Sequence, residues 1–546
     1  MKKWILSPLA AAFFLIGCNR VEDYVQPVDL INKVDKPKLV VFFIVDQGMP
    51  SILEKYDHLF VGGYRWLMDN GVQFKNTYHE HGYTATGPAH FVLSSGQYPS
   101  TGGVIGNQWF DRELKRGWYC VEDTLSQILK DGSTGRSYRS IQSTTLGDWL
   151  KKYSPKSKVL SIAGKDRAAV LQGGKNADLT LWYDRQGGWT SSTYYTSRLP
   201  NWVSKFNRRL NVPSYVDSVW HPLMDSNIYA NNTRPDYFVG EVNWSPVQYD
   251  PTFPIVFKEL GLSFLLSTFY ILPYGDRAVL NLGSQAVDEY NMGKDKYTDI
   301  LFLGLSATDG IGHSFGPHSH EQLDNYLRLD KNLGQFIESL EMLLGKGNVL
   351  YILSSDHGAV ALPEYLNAQG LYAGRIPDPQ RDSLFNAVNN EIEEQLGVNQ
   401  VYSYGNAFYF DNDMNEDVRI IATRIIKSHL SKLEGIRSVI TKKEIINGGK
   451  SIIDIRLKNM VHPEKSPDVY LIPKKYWTWR YPRGTSHGSP YDYDAHVPLI
   501  ISRSSHKERI DSLRVKTVDI APTIAKLIQI PFPKSCLLYT SDAADE

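Results

Sequence analysis

At 546 residues the chain exceeds the usual size of a single domain and can bury a large core. Hydrophobic residues make up 42% and aromatic residues 12%, globular values that argue against a chain disordered throughout. The 59 Lys and Arg offset 59 Asp and Glu, so composition gives no basic face and nucleic acid is not an expected partner.

The chain opens with Met1, Lys2 and Lys3, followed by the apolar run "ILSPLAAAFFLI", too short to persist as a mature membrane span. Leu15-Ile16-Gly17-Cys18 closes that run and resembles the bacterial lipobox, in which the cysteine is lipidated and becomes the mature N-terminus. Residues 1–18 are therefore expected to be a lipoprotein signal peptide. The protein is expected in the periplasm or cell envelope, attached to a membrane by lipid on Cys18. Residues 19–37 read as a polar tether.

From residue 38 the pattern changes. "KLVVFFIVDQG" is too apolar for a half-exposed strand and fits a parallel strand covered on both faces. Similar runs follow at "SKVLSIAGKDR", "DILFLGLSATDG", "NVLYILSSDHG" and "HVPLIISR". Helical patterns lie between several of them, most clearly Glu321 to Leu344, where Leu323, Leu327, Leu333, Ile337, Leu340 and Leu344 fall near one face. This alternation over residues 38–535 predicts an α/β domain with a mostly parallel central sheet and helices on both faces.

Residues 173–273, rich in Trp, Tyr, Asn and Pro, show no comparable buried strand and are expected to form a cap-like insertion over the sheet. Residues 374–455 mix amphipathic helix with short strands and read as a smaller subdomain. The tail "CLLYTSDAADE", residues 536–546, reads as a translated sequencing adapter, since TGT-CTC-TTA-TAC-ACA-TCT encodes its first six residues. With Cys18 and Cys536 set aside, Cys120 has no partner, which argues against a disulfide scaffold or a thiol catalyst.

The chemistry gathers where the apolar strands end. The first ends in Asp46, another in Asp309-Gly-Ile-Gly-His313, another in Asp356-His357-Gly358. Ligands bind beyond the carboxyl ends of strands in open parallel sheets, so these groups are expected at one edge. One Asp after a strand is ordinary turn chemistry, but clustered carboxylates repel unless cations balance them. Asp with neutral His suits zinc. The glycines of "DGIGH" favour a loop in which Asp309 and His313 converge, and Gly358 can supply irregular backbone beside His357. His487, in "GTSHGSP", is a further candidate ligand, whereas His496 belongs to the following strand and packs.

The octet "YTATGPAH" reads as a loop entering a helix that starts at Gly87 or Pro88. Thr86 then lies at or just before the N-cap, where free amides and the helix dipole favour an alkoxide and a phosphate. Taken alone the octet favours a plain capping threonine, and it is the clusters at the strand ends that turn the reading towards a nucleophile. Thr84 lies further out as loop support, and His90 falls inside the helix as packing. Lys165 and Arg167 in "AGKDRAAV" are two apart, so an extended segment projects both from one face, a pair suited to a dianionic phosphoryl group or to a solvated surface.

Together Asp46, the threonine of "TGPAH", "KDR", "DGIGH", "SDHG" and the late "SHG" resemble, in order, the motifs of the alkaline phosphatase superfamily. The likeness is greatest to its bacterial Thr-nucleophile, two-zinc phosphate monoesterases, related to the nucleotide pyrophosphatase/phosphodiesterase branch. The resemblance spans about Lys38 to Pro531. It implies two Zn2+ ions, one held by Asp46, Thr86, Asp356 and His357 and the other by Asp309, His313 and His487. It implies Thr86 as nucleophile, with Asn107, Lys165 and Arg167 on the phosphoryl oxygens, and a phosphothreonine intermediate in the hydrolysis of small phosphate monoesters. A phosphodiesterase or nucleotide pyrophosphatase on the same core is the first alternative. A non-catalytic zinc- or glycan-binding envelope lipoprotein is the second. No Cys- or Ser-x-Pro-x-Arg motif points to a sulfatase.

Overall fold

The computed structural model describes residues 35–248, 250–504 and 506–537, with the backbone of Tyr24–Val25. The signal peptide with Cys18, most of the tether and residues 538–546 of the tail lie outside the described residues. Tyr24–Val25 pairs antiparallel with Phe532–Pro533.

Nine strands form the central sheet. They are β1 Leu39–Val45, β2 Gly71–Tyr78, β3 Val159–Ala163, β4 Leu179–Tyr183, β5 Trp189–Thr190, β6 Asp299–Leu305, β7 Val349–Ser354, β8 His496–Ser502 and β9 Arg509–Lys516. Across the sheet they run β5-β4-β3-β6-β1-β7-β8-β2-β9, and only β5 and β8 oppose the others. The five apolar runs of the sequence are β1, β3, β6, β7 and β8, in a mostly parallel sheet as their composition predicts.

The apolar character of β1 follows from its double burial. Leu39, Val41, Phe43 and Val45 face one layer, packed with Leu333, Phe336, Ile337 and Leu340. Val40, Phe42 and Ile44 face the other, packed with Ile300, Phe302, Ile520 and Ile524. Period-2 alternation therefore carries no polar half on this strand.

Five helices matter for the site: α1 Thr86–Ser95, α2 Asp166–Gly173, α3 Pro273–Glu289, α4 Ala307–Phe315 and α5 His320–Leu344. The last matches the predicted periodic segment, and its start is capped by Ser319, whose hydroxyl accepts from the Gln322 amide at 3.0 Å. No helix among the described residues is long and apolar enough to cross a membrane.

The expectation that residues 173–273 lack a buried strand is corrected by β4, which is buried along its length and pairs in parallel with β3. Five residues of strand inside an aromatic-rich stretch do not stand out as a periodic run. Beyond β5 the segment packs on the same layer as α3 and α5, with Trp220, Tyr229, Phe257 and Phe269 in the core. The smaller subdomain pairs helices α6 Asp378–Leu396 and α7 Glu416–Leu430 with a four-stranded sheet of Val401–Tyr404, Ala407–Phe410, Ile436–Thr441 and Val469–Pro473. Its last strand comes from beyond residue 455, a long-range pairing that local pattern does not reveal.

The sheet core makes one stability expectation. Phe42 is fully buried, its ring 6.0 Å from that of Phe302. Phe42→Ala is expected to cost roughly 3–5 kcal/mol, read as a lower urea midpoint; an unchanged midpoint would show that this layer does not govern stability.

Candidate active site

Strands β3, β6, β1 and β7 are parallel neighbours, and their carboxyl ends bring Lys165, Asp309, Asp46 and Asp356 to one edge of the sheet. All four side chains are buried. Asp46, Asp356 and His357 offer ligand atoms within 4.8 Å of one another, and so do Asp309, His357 and His487. His313 belongs to neither trio, but its Nε2 is 3.1 Å from Asp309 Oδ1, and His487 Nε2 lies 3.6 Å from the same oxygen. His357 stands between the groups: its Nε2 is 3.3 Å from Asp356 Oδ2 and 3.5 Å from Asp46 Oδ1, and its ring stacks on His487.

The three imidazoles are oriented alike by backbone carbonyls. His313 Nδ1 donates to Thr485 O at 2.7 Å, His357 Nδ1 to Gly358 O at 3.0 Å and His487 Nδ1 to Thr84 O at 2.7 Å. A carbonyl only accepts, so Nδ1 of each ring carries a proton and Nε2 is the atom turned to the carboxylates. Metal-ligating histidines are held in this way. Asp46 Oδ1, Asp356 Oδ2 and His357 Nε2 are buried without a hydrogen-bond partner, a costly state that a cation relieves. The donor set of carboxylate oxygens and neutral imidazole nitrogens therefore fits divalent metal, and its chemistry suits zinc.

The protonation equilibria point the same way. Burial and then the Asp309 and Asp356 charges push Asp46 well above the carboxylate range. Burial brings Asp356 to about 6. Burial, then repulsion from His487, holds His357 well below its usual value, and burial takes His487 to about 3. Both rings are thus neutral and able to coordinate.

Thr86 is the first residue of α1, after Ala85 in extended conformation, one position earlier than the predicted start. No side chain caps this helix, and Thr86 is not its N-cap. The Gly87 amide is not free as the dipole argument assumed: it donates to Asn107 Oδ1 at 2.7 Å, which fixes Asn107 beside the threonine. Lys165 Nζ and Arg167 Nη2 each approach Thr86 Oγ1 to 3.4 Å. They do so from a helix entrance and not from an extended strand, because Lys165 is the extended N-cap of α2 and Arg167 its second residue. Lys165 also ion-pairs with Asp46, and with Asp309 at 2.6 Å. Burial opposes its charge, but Asp309 and Asp46 raise its pKa and keep it cationic.

The glycines of "DGIGH" are explained differently from the loop expected. Asp309 and His313 lie one turn apart on α4, so helical i,i+4 spacing brings them together. A Cβ on Gly310 would lie 2.3 Å from Ile271 Cβ, and one on Gly312 would lie 1.8 Å from Gln47 Oε1. These glycines make room. Gly358 likewise lies outside the left-handed region and is needed because a Cβ there would meet Tyr493 O at 2.2 Å.

Several supporting residues escape the sequence reading. Gln47, at φ 64°, donates its amide N–H to Asp356 Oδ1 at 3.0 Å and its Nε2 to Asp309 Oδ1 at 2.9 Å, tying both carboxylates to the end of β1. Asp276 of α3 accepts from Ser306 N at 2.7 Å and Ala307 N at 3.2 Å, seating the start of α4. Tyr119 donates to Asp166 Oδ1 at 2.5 Å and Arg136 to Asp166 Oδ2 at 2.8 Å, bracing the turn that carries Arg167. Only the step from strand end to positive φ at Gln47 has a sequence correlate, and Gln is not a residue that announces it. Thr84 contributes its carbonyl to His487 and its hydroxyl to Ser489 O at 3.3 Å. His90 is buried in α1, with Nδ1 donating to Thr86 O at 2.9 Å and lying 3.5 Å from Asp356 Oδ2. His496 Nε2 meets Lys75 O at 2.7 Å and its ring stacks on Tyr78. Cys120 is buried, which pushes its thiol up to about 12 and leaves it protonated.

Gln47 provides a test of this support. Gln47→Ala removes the Asp309 hydrogen bond and is expected to weaken zinc affinity roughly 10- to 100-fold, read by chelator competition. Unchanged affinity would show that the carboxylates hold their places without it.

The type I phosphodiesterase / nucleotide pyrophosphatase family matches residues 40–496. Alkaline phosphatase PafA of Elizabethkingia meningoseptica is 30% identical over 555 residues, covering 98% of this chain and 97% of that protein. Alkaline phosphatase PhoV of Synechococcus elongatus is 31% identical over 548 residues, with 98% of each covered. The crystal structure of wild-type PafA superposes with a TM-score of 0.84 at 31% identity over 92% of this chain and 98% of that one. The order of the strand-end motifs, the fold and these likenesses agree: the chain belongs to the type I phosphodiesterase / nucleotide pyrophosphatase family, on its alkaline phosphatase side.

Proposed function

We propose that the protein hydrolyses phosphate monoesters through a phosphothreonine on Thr86, releasing inorganic phosphate. The observation that carries this reading is the approach of two cations, Lys165 and Arg167, to one hydroxyl, Thr86 Oγ1, at 3.4 Å each. A monoester is a dianion, and a paired ammonium and guanidinium beside the nucleophile favour it over a diester with one charge less.

Two zinc ions are the proposed cofactors, one with Asp46, Asp356, His357 and Thr86 as ligands, the other with Asp309, His313 and His487. When bound they supply Lewis acidity that lowers an alcohol's pKa and neutralises charge on a leaving oxygen. The chain's own residues do the rest. Thr86 Oγ1 attacks phosphorus in line, forming its bond to phosphorus as the bond to the ester oxygen breaks and the alcohol departs. Lys165 and Arg167 hold the equatorial oxygens, and Asn107, whose Oδ1 is committed to the Gly87 amide, has Nδ2 to donate to another. Water then attacks the phosphothreonine, phosphate leaves and the threonine hydroxyl is restored. Positioning and charge neutralisation are the main work in phosphoryl transfer.

Zinc-loaded protein is expected to favour an aryl phosphate over a bis-aryl phosphate and to lose activity on chelation. Thr86→Ala should lower monoester turnover more than about 10³-fold, and Lys165→Ala about 10²–10³-fold with a smaller loss on the diester. Thr84→Ala should retain activity, because the contact to His487 is made by the Thr84 carbonyl. Full activity without Thr86 refutes the covalent route, and a diester preference refutes the monoesterase assignment.

We further infer from Met1 to Cys18 that the protein acts in the cell envelope, anchored by lipid on Cys18. Cys18→Ser is expected to move it from the membrane to the soluble fraction; an unchanged distribution sinks the anchor.

A further inference from the structure

Next to the phosphate-facing groups, the catalytic loops and the smaller subdomain enclose a cleft of about 190 Å³. Tyr83 and Ile105 line it from the catalytic side, Tyr404 and Tyr409 from the subdomain sheet, with Met460 and Trp479 completing the wall. No charged side chain lines it.

The cleft begins at the site already described. Gly488 and Gly106 are part of its lining, and they are the chain neighbours of His487 and Asn107. The Tyr83 ring sits between them: a Cβ on Gly488 would lie 3.0 Å from Tyr83 Cε2 and one on Gly106 3.6 Å from Tyr83 Cε1. Gly488 has φ 104°, so both its backbone and this ring exclude a side chain there. Tyr83 is nonetheless 41% exposed, an aromatic surface left open at the mouth.

We propose that this cleft receives the leaving alcohol and selects monoesters whose alcohol carries a neutral, flat aromatic ring. The proposal rests on the phosphatase reading above and deepens it. A charged leaving group finds no counter-charge in the lining. Tyrosine and tryptophan faces instead suit a stacked or edge-on ring. The contact lies away from the reacting bond, so it holds ground state and transition state alike and lowers KM more than it raises kcat.

The test compares benzyl phosphate with ethyl phosphate on the zinc-loaded enzyme, two esters whose leaving alcohols have similar acidity. Benzyl phosphate is expected to show kcat/KM roughly tenfold higher, mainly through KM. That ratio should fall towards unity in Trp479→Ala and in Tyr404→Ala. A ratio within one preparation is independent of the fraction correctly folded, so partial misfolding of either variant leaves it readable. Equal kcat/KM in the unmodified protein, a ratio that survives both substitutions, or phosphocholine outrunning benzyl phosphate each overturns the proposal. No turnover of any of the three esters instead overturns the phosphatase reading, and the cleft assignment with it.

Discussion

Asp46, Asp309 and Asp356 are buried together at one edge of the sheet, and three like charges there are tolerable only if cations face them. Lys165 meets Asp46 and Asp309 directly, while His313, His357 and His487 turn Nε2 to other oxygens of the same three carboxylates. The rest of the architecture serves to keep these groups in place. The parallel order β3-β6-β1-β7 brings four chain segments, far apart in sequence, to one point. The backbone carbonyls of Thr84, Gly358 and Thr485 then set the direction of each imidazole. A site built this way is costly without its cations, which ties its integrity to metal more than to any single side-chain contact.

Much of this was legible in the chain. A strand buried on both faces has to be apolar throughout, so β1, β3, β6 and β7 declare themselves, and so does the edge at which they end. The acidic and imidazole residues that follow them stand out because nothing in a buried turn needs both types. Geometry at the next level was not legible. "DGIGH" reads as a flexible loop because glycine is usually a mark of freedom, whereas Gly310 and Gly312 sit in a helix to admit Ile271 and Gln47. Lys165 and Arg167 were assigned to one face of a strand, but the turn into α2 is what converges them on Thr86. In both cases the groups converge as the sequence suggests but for a different reason, because close packing between distant segments has no local signature.

β4 and Gln47 mark the same limit from two sides. β4 is short and its neighbours in sequence are aromatic, so its membership in the sheet rests on pairing with β3 and not on its own pattern. Gln47 follows the most recognisable strand in the chain, yet its role depends on a positive φ and on two carboxylates from 262 and 309 residues away. Residues that bind a ligand are conspicuous by chemical type. Those that hold the binders are ordinary polar residues whose partners only the fold selects.

The smaller subdomain belongs to this argument as well. It has its own core of Phe385, Val388, Phe408 and Ile426, and it contributes none of the carboxylates or imidazoles of the site. Its sheet nevertheless reaches the loop that precedes Thr86, since Tyr404 and Tyr409 share a cleft with Tyr83. The division of labour is physical. The central sheet positions charge, which has to be buried and rigid to act on phosphorus. The subdomain supplies uncharged side chains, among them Tyr404 and Tyr409, to the cleft beside Tyr83. The charge cluster and the uncharged cleft beside it are thus built by different parts of one chain.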